Sequence, residues 1–439
     1  MPSVAIITLG CKLNQAESEG IADAFLQAGW ELVPEEQAAD LFIVNTCTVT
    51  SKAEQKARRI IRKAVRENPA SWCIITGCYA QMEAEALSRL EPEQERILVV
   101  TGDRKDRLLD LPQAYEGSLP ILVRRWMDEN ESVLPTSTNY ARSFRFNRLN
   151  RTGFSFHSRA FIKVQDGCNK RCSYCRVTLA RGPSLSQDAQ TLLHSLQDIE
   201  EAGFGEAVLT GVNICQYNDR GRDLAALLEH LLVGTKRIRI RLSSLEPDAI
   251  ESLLGIMASP RICPHFHLSV QSGSPAILHK MRRGYSTDQV SAAVQALRSV
   301  KDDPFLACDI ITGFPGEEMQ DFEQTYALCK QAAFAGIHAF PYSARPGTAA
   351  FTFDSPVPER EACIRVERLL TLAHHERRAY ISRHIGKEAV TVIEKNGTGL
   401  AENYLKIHLT AQEPVGTTVR CKITGFSSAT GYDAEGVLV

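Results

Sequence analysis

The chain has 439 residues, of which 44% are hydrophobic and 23% charged, and its formal net charge at pH 7 is -2. This composition excludes a disordered chain and a protein that is basic throughout, so only local patches could bind a polyanion. The opening run Val4-Ala5-Ile6-Ile7 has no basic residue before it, and no apolar stretch reaches the roughly 20 residues that span a bilayer. We therefore expect a soluble, cytoplasmic protein with no membrane partner.

Residues 1–115 alternate short apolar runs with segments of helical spacing. Strands are predicted at 4–9, 41–44, 72–76 and 97–100, and helices at 16–28, 53–67 and 82–90. Because alternating strands and helices form parallel sheets, the predicted fold class is α/β, with a doubly wound, flavodoxin-like N-terminal domain. Sparse periodicity predicts a linker at 116–153.

A second alternating series occupies residues 154–378. Strands are predicted at 160–165, 206–210, 237–242, 265–270, 306–311 and 336–341, with helices between them. Six strand–helix repeats predict a partial (βα)6 barrel, with functional residues at the carboxyl ends of its strands. A polar helix at about 358–383 leads into short strands with glycine-centred turns, which predict a small β-barrel in a third domain, 379–439.

The cysteines point to metal chemistry. There are 13, an odd number, in a chain without a secretory signal, so a disulfide framework is not expected. Cys168, Cys172 and Cys175 follow the first barrel strand, at a spacing that lets three thiolates wrap one face of an iron–sulfur cluster. Three protein ligands leave one iron open for a substrate; a structural zinc site is the alternative.

This C-x3-C-x2-C loop at the head of a βα series resembles the radical S-adenosylmethionine (SAM) superfamily. In that superfamily the cluster binds SAM and its electron cleaves SAM to a 5′-deoxyadenosyl radical. The resemblance implies that Tyr174 lies near the adenine of SAM. It further implies SAM contacts at predicted strand ends, by Gly211, Asn213, Ser243, Glu246 and Gln271.

A second cysteine triplet is spread over the N-terminal domain. Cys11, Cys47 and Cys78 each follow a predicted strand and stand beside small or polar loop residues. Because the carboxyl ends of parallel strands share one sheet edge, these three thiols are predicted to meet and to bind a metal centre. Cys73 lies inside an apolar run and is predicted to be a core residue.

With both triplets, the chain resembles the radical SAM methylthiotransferases over essentially its whole length. The resemblance implies two [4Fe–4S] clusters, SAM, a C-terminal RNA-binding barrel of the TRAM type, and a tRNA substrate bound at its anticodon loop. It also implies an electron donor such as flavodoxin or ferredoxin. The block from His338 to Thr348 supports this family.

The substrate is indicated by the residues around the first cysteine. The run Gly10-Cys11-Lys12-Leu13-Asn14-Gln15 resembles the branch that modifies threonylcarbamoyladenosine at tRNA position 37. The isopentenyladenosine branch usually has Gln-Met-Asn after this cysteine, and the branch acting on a ribosomal-protein aspartate has Pro-Lys-Asn. Both remain alternatives, as does, in another class, a non-catalytic iron–sulfur RNA-binding protein. Leu185 departs from the family pattern, which has arginine there.

Three basic runs are candidates for phosphate contacts. The first interleaves arginines with phenylalanines between Arg142 and Arg159, and the second lies on the helix after Cys47. The third alternates on a barrel strand and comprises Lys236, Arg237, Arg239 and Arg241.

Overall fold

The computed structural model describes residues 1–90, 96–131, 144–147, 158–394, 397–409 and 413–439, apart from the side chains of 127–131. Across these ranges, no helix is both long enough and apolar enough to cross a membrane.

The N-terminal domain is built on a parallel sheet with the strand order β2-β1-β3-β4-β5. Its strands are β1 (Ser3–Thr8), β2 (Glu31–Leu32), β3 (Leu41–Thr46), β4 (Trp72–Gly77) and β5 (Ile97–Val99). Its helices are α1 (Lys12–Gln27), α2 (Ser51–Glu67), α3 (Cys78–Met82) and α4 (Ala84–Ser88). This order is that of flavodoxin-like folds, which confirms the predicted class. Both faces of β3 and β4 are buried, which explains their continuous apolar runs.

A further helix, α5 (Leu119–Glu131), lies where sequence periodicity predicts a linker. Leu122 and Val123 are buried in the core of the N-terminal domain, and Trp126 packs against the same core. The apolar residues of α5 are few and closely spaced, so its helical character depends on this packing rather than on a long amphipathic pattern.

The central domain contains six parallel strands in two three-stranded sheets, β10-β9-β6 and β11-β12-β13. Two isolated bridges, Ile240 with Ile262 and Leu245 with Leu268, join the sheets into a partial barrel. Its strands and the short β7–β8 pair are β6 (Ala160–Lys163), β7 (Gln165–Asp166), β8 (Leu185–Ser186), β9 (Glu206–Thr210), β10 (Arg239–Leu242), β11 (His265–Gln271), β12 (Phe305–Thr312) and β13 (Gly336–Pro341). The helices are α6 (Val177–Arg181), α7 (Ala189–Glu201), α8 (Leu224–Gly234), α9 (Ile250–Met257), α10 (Pro275–Lys280), α11 (Thr287–Val300) and α12 (Met319–Ala332). The predicted partial barrel is thus confirmed.

Helix α1 of the N-terminal domain packs on the inside of this partial barrel. Ala16 of α1 forms a buried apolar cluster with Phe161 of β6 and Val208 of β9. A partial barrel leaves its interior open on one side, and here α1 covers part of that interior. The residues at the start of α1 therefore lie close to the barrel strands.

The long helix α13 (Glu359–His384) leads into a closed C-terminal barrel. Its strands are β14 (Glu388–Ile393), β15 (Thr398–Ala401), β16 (Lys406–Leu409), β17 (Thr418–Phe426) and β18 (Ala434–Leu438). Tyr380 and Ile381 of α13 share one core with this barrel and with Phe305 of β12. The small barrel is therefore packed against the central domain, as well as being connected to it.

The arginines of the third basic run do not form an RNA-facing patch, and that prediction was wrong for two of them. Arg241 is fully buried and donates to both oxygens of Glu206, at 2.6 and 2.8 Å. Arg239 is also buried and pairs with Glu402 of the C-terminal domain at 3.3 Å. Alternation along β10 turns both side chains away from the helices, where the carboxylates of Glu206 and Glu402 neutralise them.

The Glu206 carboxylate should make the free energy of unfolding depend on pH. Burial alone would raise its pKa, but Arg241 and the nearby Arg159 and Arg239 lower it to about 2. A pKa that is lower in the folded state stabilises the fold above the unfolded value of about 4.5. Replacing Glu206 with Gln should therefore cost about 3 kcal/mol at pH 7.

Urea unfolding of both proteins across pH would measure this difference. The difference should shrink as pH falls below about 4.5 towards 2, because the wild-type carboxylate then becomes protonated. A cost that does not change with pH would contradict the assignment of this stabilisation to the Glu206 charge.

Candidate active site

The loop with Cys168, Cys172 and Cys175 runs from the end of β7 into α6. The Cys168 N–H donates to Gly182 O at 3.0 Å, and the Cys175 N–H donates to Cys172 O at 3.1 Å. The Ser173 hydroxyl fastens the loop to the end of α10, donating to a backbone oxygen at 2.7 Å. These bonds fix the shape of the short loop that carries the three thiols.

Donors also approach the sulfur atoms of this loop. The Lys170 N–H lies 3.4 Å from Cys168 Sγ, and Arg283 Nη1 lies 3.2 Å from Cys172 Sγ. Burial and the neighbouring Cys172 and Cys168 thiols raise the pKa of Cys175 to about 12. Metal binding at this loop would therefore release protons, and the N–H donors would stabilise the resulting thiolates.

Two of the residues predicted to contact SAM are tied to this loop through Gln165. The Asn213 N–H donates to Gln165 Oε1 at 2.9 Å, while Gln165 Nε2 donates to Gly167 O at 2.7 Å. Gly211 packs so closely on the same side chain that an added Cβ would lie 2.8 Å from Oε1. Gln165 was not singled out by sequence reasoning, although it stands just before the cysteine loop.

Glu246 is connected to the loop by two ion pairs. It lies 3.0 Å from Lys170 Nζ and 3.1 Å from Arg283 Nη2, and Arg283 also donates to Cys172. Tyr174 is half-buried against the apolar cluster around Phe314.

The two remaining predicted SAM contacts are Ser243 and Gln271. Ser243 is buried after β10, and Gln271 ends β11 with a left-handed φ of 65°. Within the described ranges, no hydrogen bond joins either side chain to the cysteine loop. Leu185, which replaces the family arginine, is 42% exposed in β8.

The second triplet gathers at one edge of the N-terminal sheet. Cys11 precedes α1, Cys47 follows β3 and Cys78 opens α3, so each sits at the carboxyl end of a parallel strand. Burial is the main cause that raises the pKa of Cys47 to about 12, and the neighbouring Cys11 and Cys78 thiols add to it. Gly10 permits the approach: its φ is 98°, and a Cβ there would lie 2.8 Å from Cys47 Sγ.

Arg181 joins the two cysteine sites. From α6, just after the first loop, its Nε lies 3.1 Å from Cys78 Sγ in the N-terminal domain. Its other nitrogens donate to Glu17 and Asp166, both at 3.0 Å, and to Asn14 at 2.8 Å. One buried guanidinium therefore contacts the second triplet and a residue two positions before Cys168.

Glu17 of α1 is the centre of this buried ionic network. Besides Arg181, it accepts from Lys105 Nζ at 2.5 Å and from Lys163 Nζ at 2.8 Å. Burial would raise its pKa, but these three cations hold it well below its ordinary value. This network was not predicted from the sequence; the available signal was that Glu17 lies one helical turn after Leu13, on the same buried side of α1.

A three-cysteine loop at the head of a partial (βα)6 barrel defines a radical SAM enzyme, and comparison with known families agrees. The model of the Radical SAM superfamily matches residues 162–329, and that of Uncharacterized protein family UPF0004 matches residues 3–99. The radical SAM methyltransferase TsrM from Kitasatospora setae superposes with a TM-score of 0.52. At 14% identity, over 80% of this chain and 77% of that one, it supports the fold alone.

Curated relatives are similar over nearly their whole length. Threonylcarbamoyladenosine tRNA methylthiotransferase MtaB from Treponema pallidum is 41% identical, over 93% of this chain and 94% of that protein. The tRNA-2-methylthio-N(6)-dimethylallyladenosine synthase from Bartonella bacilliformis is 31% identical, over 97% and 94%. The chain therefore belongs to the radical SAM methylthiotransferases of the MtaB type and is an enzyme that transfers a methylthio group.

Membership of this family implies a [4Fe–4S] cluster and SAM, and the residues at the first loop fit them. Three thiols on one loop, two of them approached by N–H donors, match the thiolate ligands and sulfur hydrogen bonds of such clusters. In the described part of the chain, no three His, Cys, Asp or Glu side chains close around one point as ligands of a single ion would. Cluster ligands stand further apart, because each binds a different iron.

Proposed function

We propose that this enzyme converts N6-threonylcarbamoyladenosine at position 37 of tRNA to its 2-methylthio derivative, using two [4Fe–4S] clusters. The observation that carries this proposal is the pair of cysteine triplets joined by Arg181, which contacts Cys78 at 3.1 Å and Asp166 at 3.0 Å. When bound, the cluster on the Cys168 loop supplies the electron that cleaves SAM, and that on Cys11, Cys47 and Cys78 carries the transferred sulfur.

The residues of the chain contribute position and shelter from water. Helix α1 places Cys11 at its own start while packing Ala16 against Phe161 and Val208 inside the barrel. The second triplet therefore lies at the start of a helix that covers the barrel interior, and Arg181 links it to the Cys168 loop. A carbon-centred radical reacts with whatever lies nearest to it. A site sheltered from water therefore favours abstraction of a hydrogen atom from a bound base.

Substrate identity is supported by the relatives and by the residues after Cys11. The relative named for threonylcarbamoyladenosine is 41% identical, against 31% for the one named for dimethylallyladenosine. Lys12 also matches the first branch, whereas the isopentenyladenosine branch usually has glutamine there.

Two surfaces fit a tRNA anticodon loop. One is a groove of about 670 Å³ between α13 and the C-terminal barrel, where Arg378 and Lys406 stand among Phe426 and Tyr432, and where Arg377 pairs with Asp433 at 2.6 Å. Cations interleaved with aromatic rings suit phosphates and unstacked bases. The other is the exposed basic face of α2, whose residues are Arg58, Arg59, Arg62, Lys63 and Arg66.

The first basic run is a weaker candidate for RNA contact. Arg145 is paired with Asp110, Phe146 is buried, and Arg159 lies 3.5 Å from Glu206. Its other members, Arg142, Arg148, Arg151, Phe154 and Phe156, lie outside the described residues, and Phe144 rests near Lys163.

The proposed reaction also needs a low-potential electron donor, for which flavodoxin or ferredoxin is suited, and places the enzyme in the cytoplasm with its tRNA.

Mass spectrometry of nucleosides from tRNA of cells with and without the gene tests the proposal. Deletion should remove 2-methylthio-threonylcarbamoyladenosine, and its unthiolated precursor should accumulate. Loss of methylthio-isopentenyladenosine instead would reassign the substrate. If no tRNA nucleoside changes, a ribosomal-protein aspartate becomes the substrate to examine, and a protein that cleaves no SAM when reconstituted would be non-catalytic.

A further inference from the structure

A cluster of polar side chains inside the barrel is not used by either cysteine site. His267 Nε2 of β11 lies 2.9 Å from Asp309 Oδ1 of β12, and the His267 ring stacks on His338 of β13 with centroids 5.1 Å apart. At the start of β11, the buried His265 ring stacks on Tyr404 of the C-terminal domain, with ring centroids 3.9 Å apart. Among the described residues, His265 Nδ1 has no hydrogen-bond partner.

Lys12 brings a positive charge from the N-terminal domain to this cluster. It is the residue after Cys11, and its ammonium lies 5.8 Å from the centroid of the Tyr404 ring. In the described ranges, no carboxylate oxygen lies within 4 Å of it. Of the nearby carboxylates, Glu206 accepts from Arg241 at 2.6 Å, and Asp309 Oδ1 lies 2.9 Å from His267 Nε2.

The position is accessible from the proposed RNA groove. His338 and Tyr404 both line that groove, and His338 is exposed. A base entering from the groove would thus meet Tyr404, the ring nearest to Lys12, and His338, which stacks on His267. The site combines an aromatic ring, imidazoles and one ammonium without a carboxylate partner, a set that suits a planar group with a negative charge.

We propose that Lys12, beside Tyr404 and behind the groove that His338 lines, binds the threonyl carboxylate of the substrate nucleoside. This inference rests on the proposed function, because threonylcarbamoyladenosine carries this carboxylate and isopentenyladenosine has an apolar group in its place. An apolar substituent would leave Lys12 desolvated without an anion, so the site selects against it as well as for the acid. Lys12 is thus a specificity-determining residue.

The test compares Lys12→Met with wild-type reconstituted enzyme on two tRNAs, one carrying threonylcarbamoyladenosine and one carrying its methyl ester. For the acid, the variant should lose roughly 30- to 1,000-fold in kcat/KM, the range for removing one partner of a buried charge pair. For the ester, wild type and variant should have equally low kcat/KM. Binding of each tRNA, followed by fluorescence anisotropy, should lose its preference for the acid in the variant.

Two controls keep the outcome interpretable. Lys330→Met removes an exposed lysine of α12 and should leave both measurements unchanged. Lys12→Arg, which keeps the charge, should retain most of the preference for the acid. Iron content, measured on every variant, shows whether the neighbouring Cys11 site is loaded, and SAM cleavage shows whether the Cys168 loop is intact.

The possible failures differ from one another. If wild-type enzyme does not thiolate the acid-bearing tRNA, the proposed function fails. If it does, but Lys12→Met with normal iron content keeps the preference for acid over ester, the carboxylate site is wrong. If Lys12→Met weakens the binding of both tRNAs equally, Lys12 binds a phosphate instead, and the inference is overturned as well.

Discussion

Replacing Cys11 with alanine should abolish methylthio transfer and leave reductive cleavage of SAM in place. Cys11 belongs to the triplet at the edge of the N-terminal sheet, whereas the proposed function assigns SAM cleavage to the separate loop with Cys168. Loss of a direct thiolate ligand should cost more than the roughly 10- to 100-fold typical of outer-shell partners. Release of 5′-deoxyadenosine should stay within about twofold, since no ligand of the first cluster is touched.

The measurement is liquid chromatography with mass spectrometry of both products, 5′-deoxyadenosine and the thiolated nucleoside, from one reaction. Cys172→Ala should abolish both, because it removes a ligand on the first loop. Cys73→Ala is the matched control in the N-terminal domain: Cys73 is buried in β4, and both products should persist. Thiolation retained by the Cys11 variant would rule out the sulfur-carrying role of the second triplet.

Replacing Glu17 with glutamine should destabilise the protein by about 3–5 kcal/mol, because three buried cations lose their shared counter-ion. Lys105, Lys163 and Arg181 all lie within 3.1 Å of the Glu17 oxygens, and they come from both the N-terminal and central domains. Loss of this carboxylate should therefore also loosen the contact between these domains. The urea midpoint of unfolding is the direct measurement.

The matched control is Glu85→Gln, which breaks an exposed pair with Arg89 and should change stability by less than about 0.5 kcal/mol. The difference between wild type and Glu17→Gln should also depend on pH. Because the folded pKa of Glu17 is depressed, its contribution is present above about 4.5 and is lost as pH falls through the folded pKa. Equal effects of the two substitutions at pH 7 would contradict the central role of Glu17.

Much of the fold was predictable because its signals are local. Strands β3 and β4 are buried on both faces and read as continuous apolar runs, so their positions and their parallel arrangement follow from the sequence. The positions of Cys11, Cys47 and Cys78 after such strands predicted that they would gather at one edge. The spacing of Cys168, Cys172 and Cys175 indicated a cluster loop without any knowledge of the tertiary structure.

The sequence by itself thus determined the α/β class, the partial barrel, the closed C-terminal barrel and both cysteine triplets. Only the tertiary structure decided which charges are buried and with what partners. Arg241 has the sequence features of a phosphate-binding residue but is neutralised by Glu206, and Glu17 reads as an ordinary helical acid although it binds three cations across two domains. The tertiary structure also places Lys12 beside Tyr404, which is 392 positions further along the chain. Charge pairing depends on distance in space, and local periodicity carries no information about which distant residues the packing of α1 against the barrel brings together.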